Sequence, residues 1–223
     1  MRLAGVGMEH ALIIGASGGI GAALTDALEA RGAGVTRLSR SADGLDIIDE
    51  ASVSTVLGAL GGPYDRIIVA SGILGTPEKS IAALDATEMA RVFAVNAIGP
   101  ALVLKHAQRL IPRDRVCRIA VLTARVGSIG DNTMGGWYSY RAAKAAANQI
   151  VHTAAIEIGR KRREAVVVAL HPGTVATPFT EGYPAHKKVE ASEAAENLLR
   201  VMDGLGPSDT GGFFDWAGKV VPW

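Results

Sequence analysis

Tyr140 and Lys144 stand four residues apart in the run Trp137-Tyr-Ser-Tyr-Arg-Ala-Ala-Lys144-Ala-Ala-Ala-Asn148. On a helix that spacing stacks both side chains on one face, one turn apart. A fixed ammonium beside a phenol favours the phenolate, pulling the phenol's pKa down from about 10 towards neutrality. Such a phenol can exchange a proton at cellular pH. Tyr138 is a rival, but its helical neighbours are Arg141 and Ala142. Arginine stays charged and cannot pass a proton onward, whereas lysine can, so the pattern singles out Tyr140.

A second constellation lies upstream, in Gly15-Ala-Ser-Gly-Gly-Ile-Gly21. It follows an apolar run and opens a helical one. Glycines there permit a tight turn and let backbone approach a pyrophosphate, which the helix N-terminus then binds. Gly15, Gly19 and Gly21, with Ser17, Gly18 and Ile20 between them, form a variant of the dinucleotide fingerprint. At the end of the second apolar run stand Leu38-Ser39-Arg40-Ser41, with no carboxylate before Asp43. Arg40 can pair with a ribose 2′-phosphate, and Ser39 or Ser41 can hydrogen-bond it. NADP(H) is therefore favoured, with NAD(H) as the alternative.

Elements that could position these groups alternate along the chain. Strands are expected at His10–Ala16, Gly34–Ser39, Asp65–Ala70, Val116–Thr123, Ala165–Leu170 and Gly212–Trp216, with a further short one at Leu45–Ile47. Helices are expected at Ile20–Ala30, Glu50–Leu60, Thr87–Leu110, Gly136–Gly159 and Ser192–Met202. Continuously apolar strands alternating with helices predict an α/β fold: a Rossmann-type doubly wound sheet of about seven mostly parallel strands, with helices on both faces. Ligands of such sheets bind along the strand C-termini.

The chain has 223 residues, which suits one domain over 1–223, with residues 1–8 as an N-terminal extension. A net charge of +1 gives no electrostatic argument for nucleic acid or an anionic membrane. The basic run Arg160–Arg163 reads as a helix C-terminus. One cysteine, Cys117, excludes a disulfide framework and a cysteine metal cluster. His106, His152 and His171 lack ligand spacing, so no metal is expected. No run approaches eighteen consecutive apolar residues, and the first eight lack a signal-peptide core, so a cytoplasmic protein with no membrane span is expected.

Taken in order, these motifs resemble the short-chain dehydrogenase/reductase family over nearly the whole chain. Within it, Arg125-Val-Gly-Ser128-Ile-Gly-Asp-Asn132 and Phe213–Lys219 look similar to small Sniffer-like and CsgA-like carbonyl reductases. The resemblance implies that Asp46-Ile47 contacts adenine and that Ala70-Ser71-Gly72 replaces the family's Asn-Ala-Gly. It also implies that Asn96 is the helix asparagine, and that Pro172-Gly173-Thr174-Val175-Ala176-Thr177 passes the nicotinamide carboxamide, held by Thr177 or Thr174. Lys144 would bond the nicotinamide ribose as well. In the family, a water at this asparagine links the lysine to solvent. Pro100, four residues after Asn96, has no N–H for the Asn96 carbonyl, which predicts a kink that frees it.

One position departs from the pattern. The family's catalytic serine lies three residues before a glycine, and counting back from Gly127 lands on Ala124. Ser128 is the expected substitute, because adjacent strand residues face opposite ways and Thr123 would point away if Ala124 faces the site. The catalytic set is then Tyr140, Lys144, Asn96 and Ser128, for NADP(H)-dependent carbonyl–alcohol interconversion. Between Thr177 and Ser192 a short loop with Phe179 and Tyr183 predicts an open pocket, walled by Ile73, Leu74, Trp137 and Phe179, for small apolar aldehydes or ketones. The family's habit implies a homodimer or homotetramer. The alternative function is a catalytically weak NADP(H)-binding regulatory or scaffold protein.

Overall fold

Runs rich in apolar residues form the strands, most of them buried on both faces and the edge strand Gly34–Leu38 only in part. They are β1 (His10–Ile14), β2 (Gly34–Leu38), β3 (Arg66–Val69), β4 (Cys117–Leu122), β5 (Ala165–His171) and β6 (Phe213–Asp215) in a computed structural model that describes residues 8–182 and 187–223. They pair in the order β2-β1-β3-β4-β5-β6, every pairing parallel. Among the described residues the sheet thus has six strands rather than about seven. Leu45–Ile47 is a loop: the Asp46 N–H is taken by Ser52 Oγ at 3.0 Å, while Leu45 and Ile47 plug the core.

Strand residues divide between two core layers. Leu12, Ile14, Val69, Ile119 and Val121 meet α3 (Glu50–Gly58), α5 (Gly99–Ala107) and α6 (Tyr138–Lys161). Ala11, Ile13, Ile68, Ala120 and Leu122 meet α1 (Gly19–Ala30) and α7 (Ala191–Gly204). Each fully buried Leu or Ile is worth about 1.5–3 kcal/mol, so these layers hold the sheet edge rigid. A short helix that sequence pattern missed, α2 (Arg40–Asp43), follows β2.

The helical run expected at Thr87–Leu110 is subdivided. α4 (Ala86–Phe93) passes into a π-turn (Ala94–Ile98) before α5 begins. Pro100 cannot donate to the Asn96 carbonyl, and the backbone widens there, the Gly99 N–H bonding Ala94 O instead. By length and composition alone, an 18-residue stretch within Ala86–Leu110, with mean hydropathy 1.2, is apolar enough to cross a membrane. In this fold it packs against α3 and α6.

Candidate active site

The crossing point of the sheet lies between β1 and β3, where the chain order reverses, and ligands of doubly wound sheets bind in that crevice. The glycine turn sits there. Gly15 has φ +88°, and its N–H bonds Leu38 O at 2.8 Å, fixing the turn to the end of β2. A Cβ on Gly21 would come within 2.1 Å of Gly15 O, so only glycine allows α1 to start this close to the strand. α1 carries no side-chain cap and no acidic residue in its first turn, leaving backbone N–H groups for an anion. Ser17, Gly18 and Gly19 are exposed, and Ile20 is half-buried. A Cβ on Gly15 would meet Ser71 Oγ at 2.7 Å, and one on Gly19 would meet Thr177 Cγ2 at 2.6 Å. Segments 70–72 and 172–177 therefore close on the turn from either side. This cradle of backbone and small residues fits a dinucleotide.

At the end of β2, Arg40 and Ser41 are exposed and available. Ser39 is buried, and its hydroxyl is engaged: it accepts from the Ala42 N–H at 3.2 Å and donates to Asp43 Oδ2 at 3.2 Å. That same carboxylate oxygen accepts the Ser39 N–H at 2.8 Å. α2 thus folds Asp43 back to the strand end, a carboxylate that the linear order placed too late. Asp46 is half-buried and accepts the Ile48 N–H at 3.2 Å. Ile47 packs on Gly99, where an added Cβ would lie 2.7 Å from its Cδ1.

Tyr140 and Lys144 do share one face of α6, and both are buried. Lys144 Nζ lies 5.8 Å from the Tyr140 ring centre and donates to Leu122 O at 2.9 Å, pinning it to the end of β4. Burial pushes the ammonium down to about 8. It remains mostly charged at neutral pH. A Cβ on Gly72 would lie 3.0 Å from Asn96 Oδ1 and 3.5 Å from Lys144 Nζ, so both side chains converge on this glycine. The Asn96 carboxamide clasps Ile73, accepting its N–H at 3.0 Å and donating to its carbonyl at 2.8 Å. Ala70 follows β3, its N–H on Ile14 O at 2.8 Å.

Around the Tyr140 ring stand Trp137, edge-on at 6.2 Å, and Phe179 at 6.0 Å, with Val92, Ala124 and Ala143. Ile73 and Leu74 pack against this cluster. Tyr183 lies outside the described residues. Ala124 therefore does face the site, and presents a methyl where the family pattern has a hydroxyl. The expected substitute, Ser128, has its hydroxyl engaged elsewhere in the fold. Ser128 gives its one proton to Pro222 O at 2.5 Å and accepts the Asp131 N–H at 3.1 Å. It anchors the C-terminal segment, which no local signal announces. The Thr123 hydroxyl is buried with no partner among the described residues.

Beyond β5, Pro172 is buried and Gly173 takes φ +81° against Trp216. Thr174 O accepts the Val189 N–H at 3.0 Å, and Val175 pairs with Val189, holding the segment that ends at Thr177. Burial pushes the His171 imidazole down to about 4, so it is neutral. A cavity of about 420 Å³ lies at the opposite edge of the sheet, lined by Asp65, Arg66, Arg115 and Arg118. Its Arg66 is already paired with Glu9 at 2.7 Å and Asp203 at 2.8 Å, and its Arg115 with Asp65 at 2.6 Å, which marks it as structural.

Comparison with known proteins agrees with this geometry. Residues 37–204 match a family model described as enoyl-(acyl carrier protein) reductase. The C-signal of Myxococcus xanthus is 37% identical over 162 residues, 73% of this chain and 94% of that protein. The 1-hydroxy-2-glutathionyl-2-methyl-3-butene dehydrogenase of a Rhodococcus species is 30% identical, covering 97% of this chain and all of its own. The crystal structure of a carbonyl reductase from Pseudomonas aeruginosa in complex with NADP superposes with a TM-score of 0.82 at 26% identity, over 97% of this chain and 100% of the other. With its glycine cradle, its Tyr140–Lys144 pair and these likenesses, the chain belongs to the short-chain dehydrogenase/reductase family of NAD(P)-dependent oxidoreductases.

Proposed function

We propose that this protein interconverts a small apolar carbonyl compound and its alcohol using NADP(H), with Tyr140 as the proton donor and acceptor. The observation that carries the reading is the convergence of Tyr140, Lys144 and Asn96 beside the glycine cradle, at one end of an apolar patch. Gly15, Gly18, Gly19 and Gly21 would hold the pyrophosphate, Arg40 and Ser41 the 2′-phosphate, and Thr177 the carboxamide end. The NADP-bound carbonyl reductase among the similar structures supports that choice. When bound, the cofactor supplies or accepts the hydride. Tyr140 gives its phenolic proton to the substrate oxygen as the carbonyl carbon is reduced. Lys144 favours the resulting phenolate and can return a proton. Asn96 holds Ile73, and so the apolar wall, in register with Tyr140. Trp137 and Phe179 exclude water from the phenol.

Ala124 and the engagement of Ser128 favour a second reading: an NADP(H) binder with little turnover, acting as a regulator. NADPH oxidation over a panel of aliphatic and aromatic aldehydes and ketones, with wild type beside Tyr140→Phe, separates the two. Turnover lost in the variant with NADPH affinity preserved supports the enzyme. No turnover in either protein supports the binder.

A further inference from the structure

The helix that carries Tyr140 and Lys144 starts without a cap of its own. Trp137, at its N-cap, takes a left-handed conformation with φ 55° and ψ 41°, and its side chain makes no capping bond. The first N–H groups of a buried helix need acceptors. Two of them, on Trp137 and Ser139, find theirs on the loop after β3. The Glu78 backbone carbonyl accepts the Trp137 N–H at 2.6 Å. Its carboxylate accepts the Ser139 N–H at 3.2 Å and, through its other oxygen, the Ser139 hydroxyl. Glu78 is 6% exposed and Ser139 2%. Burial opposes ionisation of this carboxyl, yet the hydrogen bonds from Ser139 and from the backbone of Glu78 itself together outweigh it and hold the group below the usual range.

Ser139 directly precedes Tyr140, so Glu78 sets the start of the turn from which the phenol projects. The same loop supplies Ile73 and Leu74 to the apolar wall. It is held at two further points, by the Asn96 carboxamide on Ile73 and by Glu88 Oε1, which accepts the Thr76 N–H at 2.8 Å. A displacement of Glu78 would therefore move the phenol and the wall relative to each other. Displacements of about 1 Å at a reacting group can cost a hundredfold in rate.

We propose that Glu78 is a positioning residue for the reaction: a cap supplied from the substrate-wall loop, which fixes Tyr140 against that wall. The inference rests on the reading of Tyr140 as the proton donor. Its role differs from cofactor binding, because the cradle at Gly15–Gly21 belongs to another part of the sheet edge. It also differs from a charge requirement, because an amide oxygen can accept the Ser139 N–H equally well and the hydroxyl can then rotate to accept from the amide.

The test compares Glu78→Ala, Glu78→Gln and Ser139→Ala with wild type and Tyr140→Phe. Steady-state NADPH oxidation with the best aldehyde or ketone of the panel is read beside NADPH affinity from fluorescence titration. Glu78→Ala is expected to lower kcat about tenfold or more with NADPH affinity within twofold, and Glu78→Gln to restore kcat to within about threefold of wild type. Ser139→Ala, which deletes one hydroxyl, should lower kcat severalfold, and it decides the matter if Glu78→Ala does not fold. Wild-type kcat in folded Glu78→Ala, or in Ser139→Ala, would overturn the proposal, as would equal losses in Glu78→Ala and Glu78→Gln. Full turnover in Tyr140→Phe would remove the underlying reading as well; its loss there beside an unaffected Glu78→Ala removes this inference alone.

Discussion

Restoring a hydroxyl at Ala124 should raise activity. Ala124 is 8% exposed and shares an apolar cluster with Tyr140, Val92 and Ala143. Ala124→Ser adds one oxygen to a site already shaped for a small side chain, at the end of β4, without disturbing the Lys144 bond to Leu122 O. Removing one donor to a developing oxyanion costs about a hundredfold or more, roughly 3 kcal/mol. A donor added to a chain that did not evolve around it should recover part of that, about tenfold in kcat/KM. The opposing term is burial of a hydroxyl that has no partner until substrate binds, about 1–3 kcal/mol. For a chain of this length, each kcal/mol lowers Tm by about 2–4 °C. The expected signature is therefore faster turnover in a slightly less stable protein, with NADPH affinity unchanged. NADPH oxidation beside thermal unfolding measures both. A folded Ala124→Ser with wild-type turnover would refute the idea that a missing hydroxyl limits this site.

Further outcomes follow from the same geometry. Ser128→Ala should lower Tm by several degrees while leaving turnover close to wild type, because its bonds to Pro222 and Asp131 are structural; a hundredfold loss of kcat would return Ser128 to the catalytic set. Arg40→Ala should raise the Michaelis constant for NADPH about tenfold more than that for NADH, and equal effects on both would remove its role in cofactor choice. Lys144 is depressed to about 8 in the folded protein, so between pH 8 and about 10 the folded state releases a proton that the unfolded chain retains. Apo-protein stability gains from this group as pH rises through that window, on the order of 3 kcal/mol in full. Lys144→Met should flatten the slope in urea titrations, and an unchanged slope would show that the burial of this ammonium is not felt.

Local pattern was enough for most of the architecture. Apolar runs such as Ala165–Leu170 and the helical stretches around them carry their own periodicity, so their limits shift by only a residue or two in the fold. The glycine turn and the Tyr140–Lys144 pair were legible for the same reason: each is a set of nearby residues whose spacing implies its geometry. Pro100 announces the break in the helix, because a missing N–H is a property of the residue itself, although its form as a π-turn shows only in the fold. Leu45–Ile47 misled because a short buried apolar run reads alike as strand or plug. Ser128 and Glu78 were beyond reach, since their partners lie 94 and 61 residues away. Asp43 was nearer but needed the turn of α2 to bring it back to Ser39. Residue types and their local spacing set which chemistry is available: a phenol beside an ammonium, and a backbone cradle for a dinucleotide. Which hydroxyls can serve it is settled by the folded chain, because hydrogen-bond partners far apart in sequence are chosen by the sheet that brings them together.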